Sequence, residues 1–159
     1  MEAQEERDIK FSEWKSLTGT KLTMDEFKDF CNENCSEIFV GTDSQVRGQF
    51  TKFTVVVAAY EEGKGGKVIA RSAKIANYPD LRTRLLQETW FSIELALELS
   101  KELDHVITIH CDVNADPTYK SGLYAKEVQG YVKGFGFDCE IKPSAWCASN
   151  CADRNTKSG

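Results

Sequence analysis

The sequence lacks several features that would place it in a familiar class of protein. No apolar stretch reaches the roughly 18 residues of a membrane-spanning helix, and the acidic first residues contain no apolar secretory core. We therefore expect no membrane partner and a cytoplasmic or otherwise intracellular location. The net charge of −5 argues against a protein that coats nucleic acid through a broad basic surface. It leaves room for a local basic rim around an acidic site.

The cysteines lack the spacing that most structural zinc sites use. Six are present, and no two have the C-x-x-C spacing of zinc ribbons and fingers. Two pairs, Cys31 with Cys35 and Cys147 with Cys151, are four residues apart and could share a helix face. A module structured by zinc therefore stays as an alternative, while free and mostly buried thiols are the simpler interpretation.

Two hydrophobic runs that each end at an aspartate are the most informative feature of the chain. One run leads from Ile38 to Asp43, and the other leads from Val106 to Asp112. Their β-branched and aromatic residues are typical of buried strands. Since a lone buried carboxylate is costly, two such strand ends predict a carboxylate cluster that is neutralised by a metal ion.

The hydrophobic pattern as a whole predicts a single α/β domain. An irregular segment over residues 1–20 precedes a domain over 21–159, which opens with a short helix. The order β-β-β-α-β-α-β-α then follows, and a meander followed by alternating elements indicates a mixed five-stranded sheet with helices on its faces. The predicted strands cover 38–43, 50–60, 67–75, 106–112 and 137–141, and the predicted helices cover 24–32, 80–103, 121–133 and 150–157.

The long helix over 80–103 offers a third acidic residue. Glu88 falls on the same stripe as Leu85 and Leu95, whereas Glu94 lies with Glu98 on a separate polar wedge. This spacing selects Glu88 as the carboxylate that points toward the sheet. The alternative is a partly buried Glu88 that pairs with Arg84, four residues earlier.

Short blocks in the same order resemble the YkuK family of predicted ribonuclease H-like proteins, over roughly residues 20–157. The shared blocks are Gly41-Thr42-Asp43-Ser44-Gln45, Arg82 to Glu88, Asp112-Val113-Asn114, and Lys142 to Ser149 with Ala152-Asp153. The resemblance implies a nuclease-type site in which Asp43, Glu88, Asp112 and Asp153 hold two divalent ions. Oxygen ligands favour Mg²⁺ or Mn²⁺, which would support in-line hydrolysis of a phosphodiester bond.

Polar residues beside the acids are candidates for substrate contact. Ser44 and Gln45 directly follow Asp43, and Lys120, Lys142 and Lys157 lie beside the other acidic blocks. The partner implied is nucleic acid, with RNA, an RNA/DNA hybrid and DNA all left open. His110 precedes Asp112 by two residues. Its side chain is expected either near the metals or in the core. A non-catalytic nucleic-acid-binding or protein-interaction module that keeps the fold is the main alternative.

Overall fold

The computed structural model describes residues 9–16, 21–34, 37–61, 63, 65–114, 116 and 118–142. These residues form six strands, three α-helices and one 3₁₀ turn. In chain order they are β1 (Lys15–Ser16), α1 (Met24–Asn34), β2 (Glu37–Arg47), β3 (Phe50–Glu61), β4 (Gly65–Ala76), α2 (Leu81–Glu102), β5 (Ile107–Asn114), the 3₁₀ turn (Lys120–Tyr124), α3 (Ala125–Gly134) and β6 (Asp138–Lys142).

The strands form one mixed sheet in the order β1-β4-β3-β2-β5-β6. Strands β2, β3 and β4 are an antiparallel meander, while β5 runs parallel to β2 and β6 runs parallel to β5. The predicted α/β class and mixed sheet are confirmed. The predicted count of five strands is wrong, because Lys15 and Ser16 pair with Ala70 and Ile69 at the edge of β4. A strand of two residues is too short to show a period in sequence.

A tight turn fixes the register that positions the site. Gly48 has a φ of 62°, a left-handed conformation that glycine adopts easily. The turn aligns β2 with β3 from Glu37 opposite Tyr60 to Arg47 opposite Phe50, which places Asp43 opposite Thr54. Because a slip of one residue would turn every side chain to the other face, this register decides what surrounds Asp43.

The two faces of the sheet have different neighbours. Ile38 and Val40 of β2 join one large core cluster with the buried residues of all three described helices. We call this side the helical face, and the alternation of the strand also assigns Thr42 and Ser44 to it. Phe39 joins a smaller cluster with Val56 and Ala58 on the opposite face, where Asp43 and Gln45 also lie.

Helix starts follow the capping rules. Thr23 and Glu26 form a capping box, in which the Glu26 amide donates to Thr23 Oγ1 at 3.1 Å. Asp80 caps α2 by accepting from the Thr83 amide at 2.7 Å.

None of the described helices is both long and apolar enough to cross a bilayer. The intracellular location stays a prediction, and the predicted helix over 150–157 lies outside the described residues.

Candidate metal centre

Three carboxylates from three elements meet where two parallel strands part. The pairing of β2 with β5 ends at Thr42 and Cys111, so Asp43 and Asp112 are the next residue on each strand. Glu88 approaches from α2, and oxygen atoms of the three carboxylates all lie within 4.8 Å of one another. In open α/β sheets, the carboxyl ends of parallel strands form the crevice that receives ligands.

Two hydroxyl contacts hold α2 against β2 so that Glu88 reaches the cluster. Thr42 Oγ1 and Ser92 Oγ are 2.8 Å apart, and Ser44 Oγ donates to Glu88 Oε2. Two residues along a strand cover about 6.7 Å, and four residues along a helix cover about 6 Å. The two spacings match, so one hydroxyl anchors the helix while the other orients the carboxylate one turn away.

Burial dominates the electrostatics of the cluster. Asp43 and Glu88 are each only 5% exposed. Loss of water raises the pKa of Glu88 to about 8, and the nearby charge of Asp112 adds to the increase. The hydrogen bond from Ser44 and the charges of Arg84 and Lys142 lower the pKa of Glu88, but they only partly offset burial. Without a further cation, Glu88 is therefore largely protonated at neutral pH.

Lys142 supplies one positive charge to the cluster. Its Nζ lies 2.6 Å from Asp112 Oδ1. Lys142 is the last residue of β6 and pairs with Asn114, after a register irregularity between Cys111 and Asn114 that includes Asp112. Such irregularities re-aim side chains near functional sites. The sequence predicts a substrate contact for Lys142, whereas in the structure its ammonium group pairs with Asp112.

The residues present fit a divalent cation. Three carboxylates supply hard oxygen ligands, which suit Mg²⁺ or Mn²⁺ better than a soft metal. Opposite Asp43, the buried hydroxyl of Thr54 has no hydrogen-bond partner within the described part of the chain. A buried hydroxyl without a protein partner, next to acids of this kind, is a group that a bound water or ion can satisfy.

The other predicted site residues have different surroundings. Gln45 accepts a hydrogen bond from Arg47 Nη2 at 3.1 Å, and Lys120 is exposed at the start of the 3₁₀ turn. Ser44 faces α2 through its contact with Glu88. The remaining candidates, Asp153 and Lys157, lie outside the described residues.

His110 and the cysteines do not enlarge the metal site in the described ranges. His110 packs against Phe39 at a ring distance of 4.9 Å, and burial lowers its pKa to about 4, so the ring is neutral. Cys111 Sγ and Cys139 Sγ are 3.7 Å apart. Across the described residues, the acids 43, 88 and 112 are the one group of three or more that could hold a metal. Cys35, Cys147 and Cys151 lie outside those ranges.

Sequence reasoning missed two contributors to the site. Thr54 lies inside a run of apolar residues that predicts an ordinary core strand. Only the pairing of β2 with β3 shows that it lies opposite Asp43. Ser92 reads as a polar residue of a helix, and its contact with Thr42 depends on how α2 packs. The spacing of Thr42 and Ser44 against Glu88 and Ser92 was the available signal.

A mixed sheet of this strand order, with acids at two adjacent parallel strand ends and on the helix that precedes the second of these strands, is typical of a ribonuclease H-like protein. The family model described as "Ribonuclease H-like" matches residues 23–157. The chain therefore belongs to the ribonuclease H-like family.

A curated protein is similar to the chain over most of its length. The chain is 25% identical over 154 residues to "Uncharacterized protein YkuK" of Bacillus subtilis (strain 168), with 84% of this chain and 88% of that protein covered. Among solved structures it is similar to RNase H1 from the halophilic archaeon Halobacterium salinarum NRC-1, at 16% identity and a TM-score of 0.42. That alignment covers 78% of this chain and 98% of the archaeal chain, and at this score it carries no argument about function.

Proposed function

We propose that this protein is a nuclease that uses Mg²⁺ or Mn²⁺ to hydrolyse phosphodiester bonds in nucleic acid. One observation carries the proposal: carboxylates from β2, α2 and β5 converge within 4.8 Å of one another, and two of them, Asp43 and Glu88, are buried. The proposed ligands and catalytic residues are Asp43, Glu88 and Asp112, with Asp153 from beyond the described residues. When bound, a pair of divalent ions supplies an activated water and stabilises the leaving oxygen.

The chain's own residues prepare the site for that chemistry. Ser44 holds one oxygen of Glu88, and Lys142 keeps the Asp112 carboxylate partly neutralised until a stronger cation arrives. Glu88 gives up its proton when a cation enters, because a ligand must be deprotonated to bind. Metal affinity should therefore rise with pH through the pKa of Glu88 at about 8.

Substrate contacts are proposed for the polar residues around the acids. These are Ser44, Gln45, Lys120, Lys142 and Lys157. Gln45 lies on the same face of β2 as Asp43, two residues further along. Lys142 can turn from Asp112 to a phosphate once a divalent ion neutralises that carboxylate. We take residues 21–159 as the single domain that carries this activity, and RNA, hybrid and DNA all stay as substrates to be tested.

A cleavage assay tests the proposal directly. The purified protein is incubated in Mg²⁺ or Mn²⁺ with single-stranded RNA, RNA/DNA hybrid, and single- and double-stranded DNA. Cleavage by the wild type should disappear in Asp43→Asn and Asp112→Asn. Asp116→Asn is the matched control, since Asp116 is exposed and its described hydrogen bonds are made with the nearby Thr118. An Asp43→Asn protein that cleaves with wild-type metal dependence would contradict the site assignment.

A non-catalytic nucleic-acid-binding module is the second candidate. The observation that favours it is the Lys142 ammonium on Asp112, since a built-in counter-charge lets an acidic site persist without a metal. The two functions separate in a calorimetric titration of the folded protein with Mn²⁺. Saturable binding that Asp43→Asn removes supports the nuclease, and no binding supports the module.

A further inference from the structure

Two cysteines of neighbouring strands are in contact beside the carboxylate cluster. Cys111 of β5 and Cys139 of β6 are both free thiols, and their Sγ atoms are 3.7 Å apart. We call these two residues the thiol pair. Cys111 directly precedes Asp112, so the thiol pair lies next to one of the three acids. The two sulfur atoms already touch, which is the first requirement for a bond between them.

The surroundings of Cys139 favour its ionisation, which makes a thiol reactive. Once Cys139 is ionised, its sulfur can only accept a hydrogen bond, so the Cys111 thiol donates to it and lowers the pKa of Cys139. The charge of Lys133 lowers this pKa further, although burial and the charge of Glu140 oppose it. Cys139 is also only half-buried. Cys31 is the contrasting inert thiol, since it is fully buried and burial raises its pKa to about 11.

Hydrogen peroxide is an oxidant that can join the two sulfur atoms. The Cys139 thiolate attacks one peroxide oxygen, the O–O bond breaks, and the hydroxide that leaves is protonated to water, so Cys139 becomes a sulfenic acid. The Cys111 sulfur then attacks the Cys139 sulfur, the S–O bond breaks, and the hydroxyl group leaves as water with the Cys111 proton. Two thiols and one peroxide thus give one disulfide and two molecules of water.

The disulfide cannot form unless the two strands move. Cys111 pairs with Ile141 and Cys139 pairs with Ile109, so the thiol pair is diagonal across the ladder. Neighbouring strands are about 4.8 Å apart and two residues cover about 6.7 Å, which puts the Cα atoms of a diagonal pair about 8 Å apart. A disulfide usually needs Cα atoms within about 7 Å and sulfur atoms about 2.05 Å apart. The bond therefore draws β5 and β6 together.

The part of β5 that is free to move is the part that contains Asp112. The pairing of β2 with β5 ends at Cys111, and the ladder between β5 and β6 is irregular from Cys111 to Asn114. Strand β6 is the last strand of the described sheet, with β5 as its only described neighbour. Because a metal ligand must lie within a few tenths of an ångström of its proper distance, a shift of about 1 Å at Asp112 is enough to disrupt the cluster.

We infer that peroxide joins Cys111 to Cys139 in a reversible disulfide, and that this bond displaces Asp112 and weakens the binding of a divalent cation. A strained disulfide of this kind is readily reduced, as regulatory disulfides are. The effect on the cation rests on the proposed function, whereas the formation of the bond does not. The thiol pair is thereby assigned as an oxidisable site that controls the metal affinity of the carboxylate cluster.

Peptide mapping tests the bond itself. The wild-type protein is treated with hydrogen peroxide, alkylated, and cleaved after glutamate without reduction. This digestion leaves Cys111 in the fragment 103–127 and Cys139 in the fragment 128–140, and neither fragment contains another cysteine. Mass spectrometry should find the two fragments joined after peroxide and separate after reduction. Fragments that stay separate after prolonged treatment would overturn the inference.

Calorimetric titration with Mn²⁺ tests the effect on the cluster. The oxidised wild type, freed of peroxide, should bind Mn²⁺ at least tenfold more weakly than the reduced protein, which is the loss typical when the groups that orient a metal ligand are disturbed. Reduction should restore the affinity. Peroxide should leave the affinity of Cys139→Ser unchanged. Cys31→Ala, which removes a buried thiol outside the pair, is the matched control and should lose affinity on oxidation as the wild type does.

Two results contradict the effect on the cation: an oxidised wild type that binds Mn²⁺ as tightly as the reduced protein, and an equal loss of affinity in Cys139→Ser. Melts followed by circular dichroism exclude unfolding as the cause, and Cys139→Ala replaces the serine variant if that variant is not folded. A reduced wild type that binds no Mn²⁺ contradicts the proposed function and the effect on the cation, while joined fragments still support the disulfide.

Discussion

Replacing Glu88 with glutamine should stabilise the metal-free protein at alkaline pH. Glutamine keeps the shape of the side chain and its carbonyl oxygen can still accept from Ser44 Oγ, but it carries no charge into the buried crevice. Burial raises the pKa of Glu88 from 4.5 to about 8, so the folded protein resists ionisation of this group. Removing the ionisable group removes that penalty.

The size and sign of this stability change follow from the linkage between proton binding and folding. Below pH 4.5 Glu88 is mostly protonated in the folded protein and in the unfolded chain, so it does not lower the free energy of unfolding. Between pH 4.5 and 8 the unfolded chain releases the proton while the folded protein keeps it, so stability falls as pH rises. At about 1.36 kcal/mol per pH unit, the rise in the pKa of Glu88 lowers the free energy of unfolding by roughly 5 kcal/mol above pH 8. Relaxation of the crevice lowers this ceiling, and we expect a gain of about 2–4 kcal/mol for Glu88→Gln at pH 8.5.

Urea unfolding in EDTA at pH 5 and pH 8.5, followed by circular dichroism, measures the effect. The free energy of unfolding of Glu88→Gln should match the wild type within about 1 kcal/mol at pH 5 and exceed it at pH 8.5. Glu98→Gln, an exposed position on the same helix, should track the wild type at both values. Adding Mg²⁺ at pH 8.5 should stabilise the wild type more than Glu88→Gln. The reasoning is refuted if the difference in the free energy of unfolding between Glu88→Gln and the wild type is no larger at pH 8.5 than at pH 5.

Three further substitutions test other parts of the structure. Lys142→Met removes the ammonium group from Asp112, so calorimetry should show three- to tenfold tighter Mn²⁺ binding, which is about 1 kcal/mol for a half-exposed pair; unchanged affinity would rule out competition. Asp43→Asn should abolish cleavage and leave the metal-free melting temperature equal or higher, since repulsion among carboxylates falls, and a large drop would contradict this. Asp80→Ala removes the cap of α2 and should cost about 1 kcal/mol in urea unfolding without loss of cleavage.

The sequence by itself determined which acids meet. The hydrophobic runs before Asp43 and Asp112 marked two strand ends, and the helical period of α2 selected Glu88 over Glu94. Glu88 is buried in the cluster with both aspartates, whereas Glu94 is only partly buried and has the charges of Glu98 and Arg71 near it instead. These features were predictable because they depend on periods of two and 3.6 residues, which are local properties of the chain.

Only the tertiary structure decided what surrounds those acids. The sixth strand at Lys15, the hydroxyl of Thr54 opposite Asp43 and the ammonium of Lys142 on Asp112 all depend on pairings between distant segments. Strand register and edge pairing are set by turns and by packing across the whole sheet, and a shift of one residue reverses the face of every side chain. The positions of the carboxylates therefore follow from local sequence patterns. The cation and the hydroxyls around them follow from the pairing of segments that are distant in the sequence.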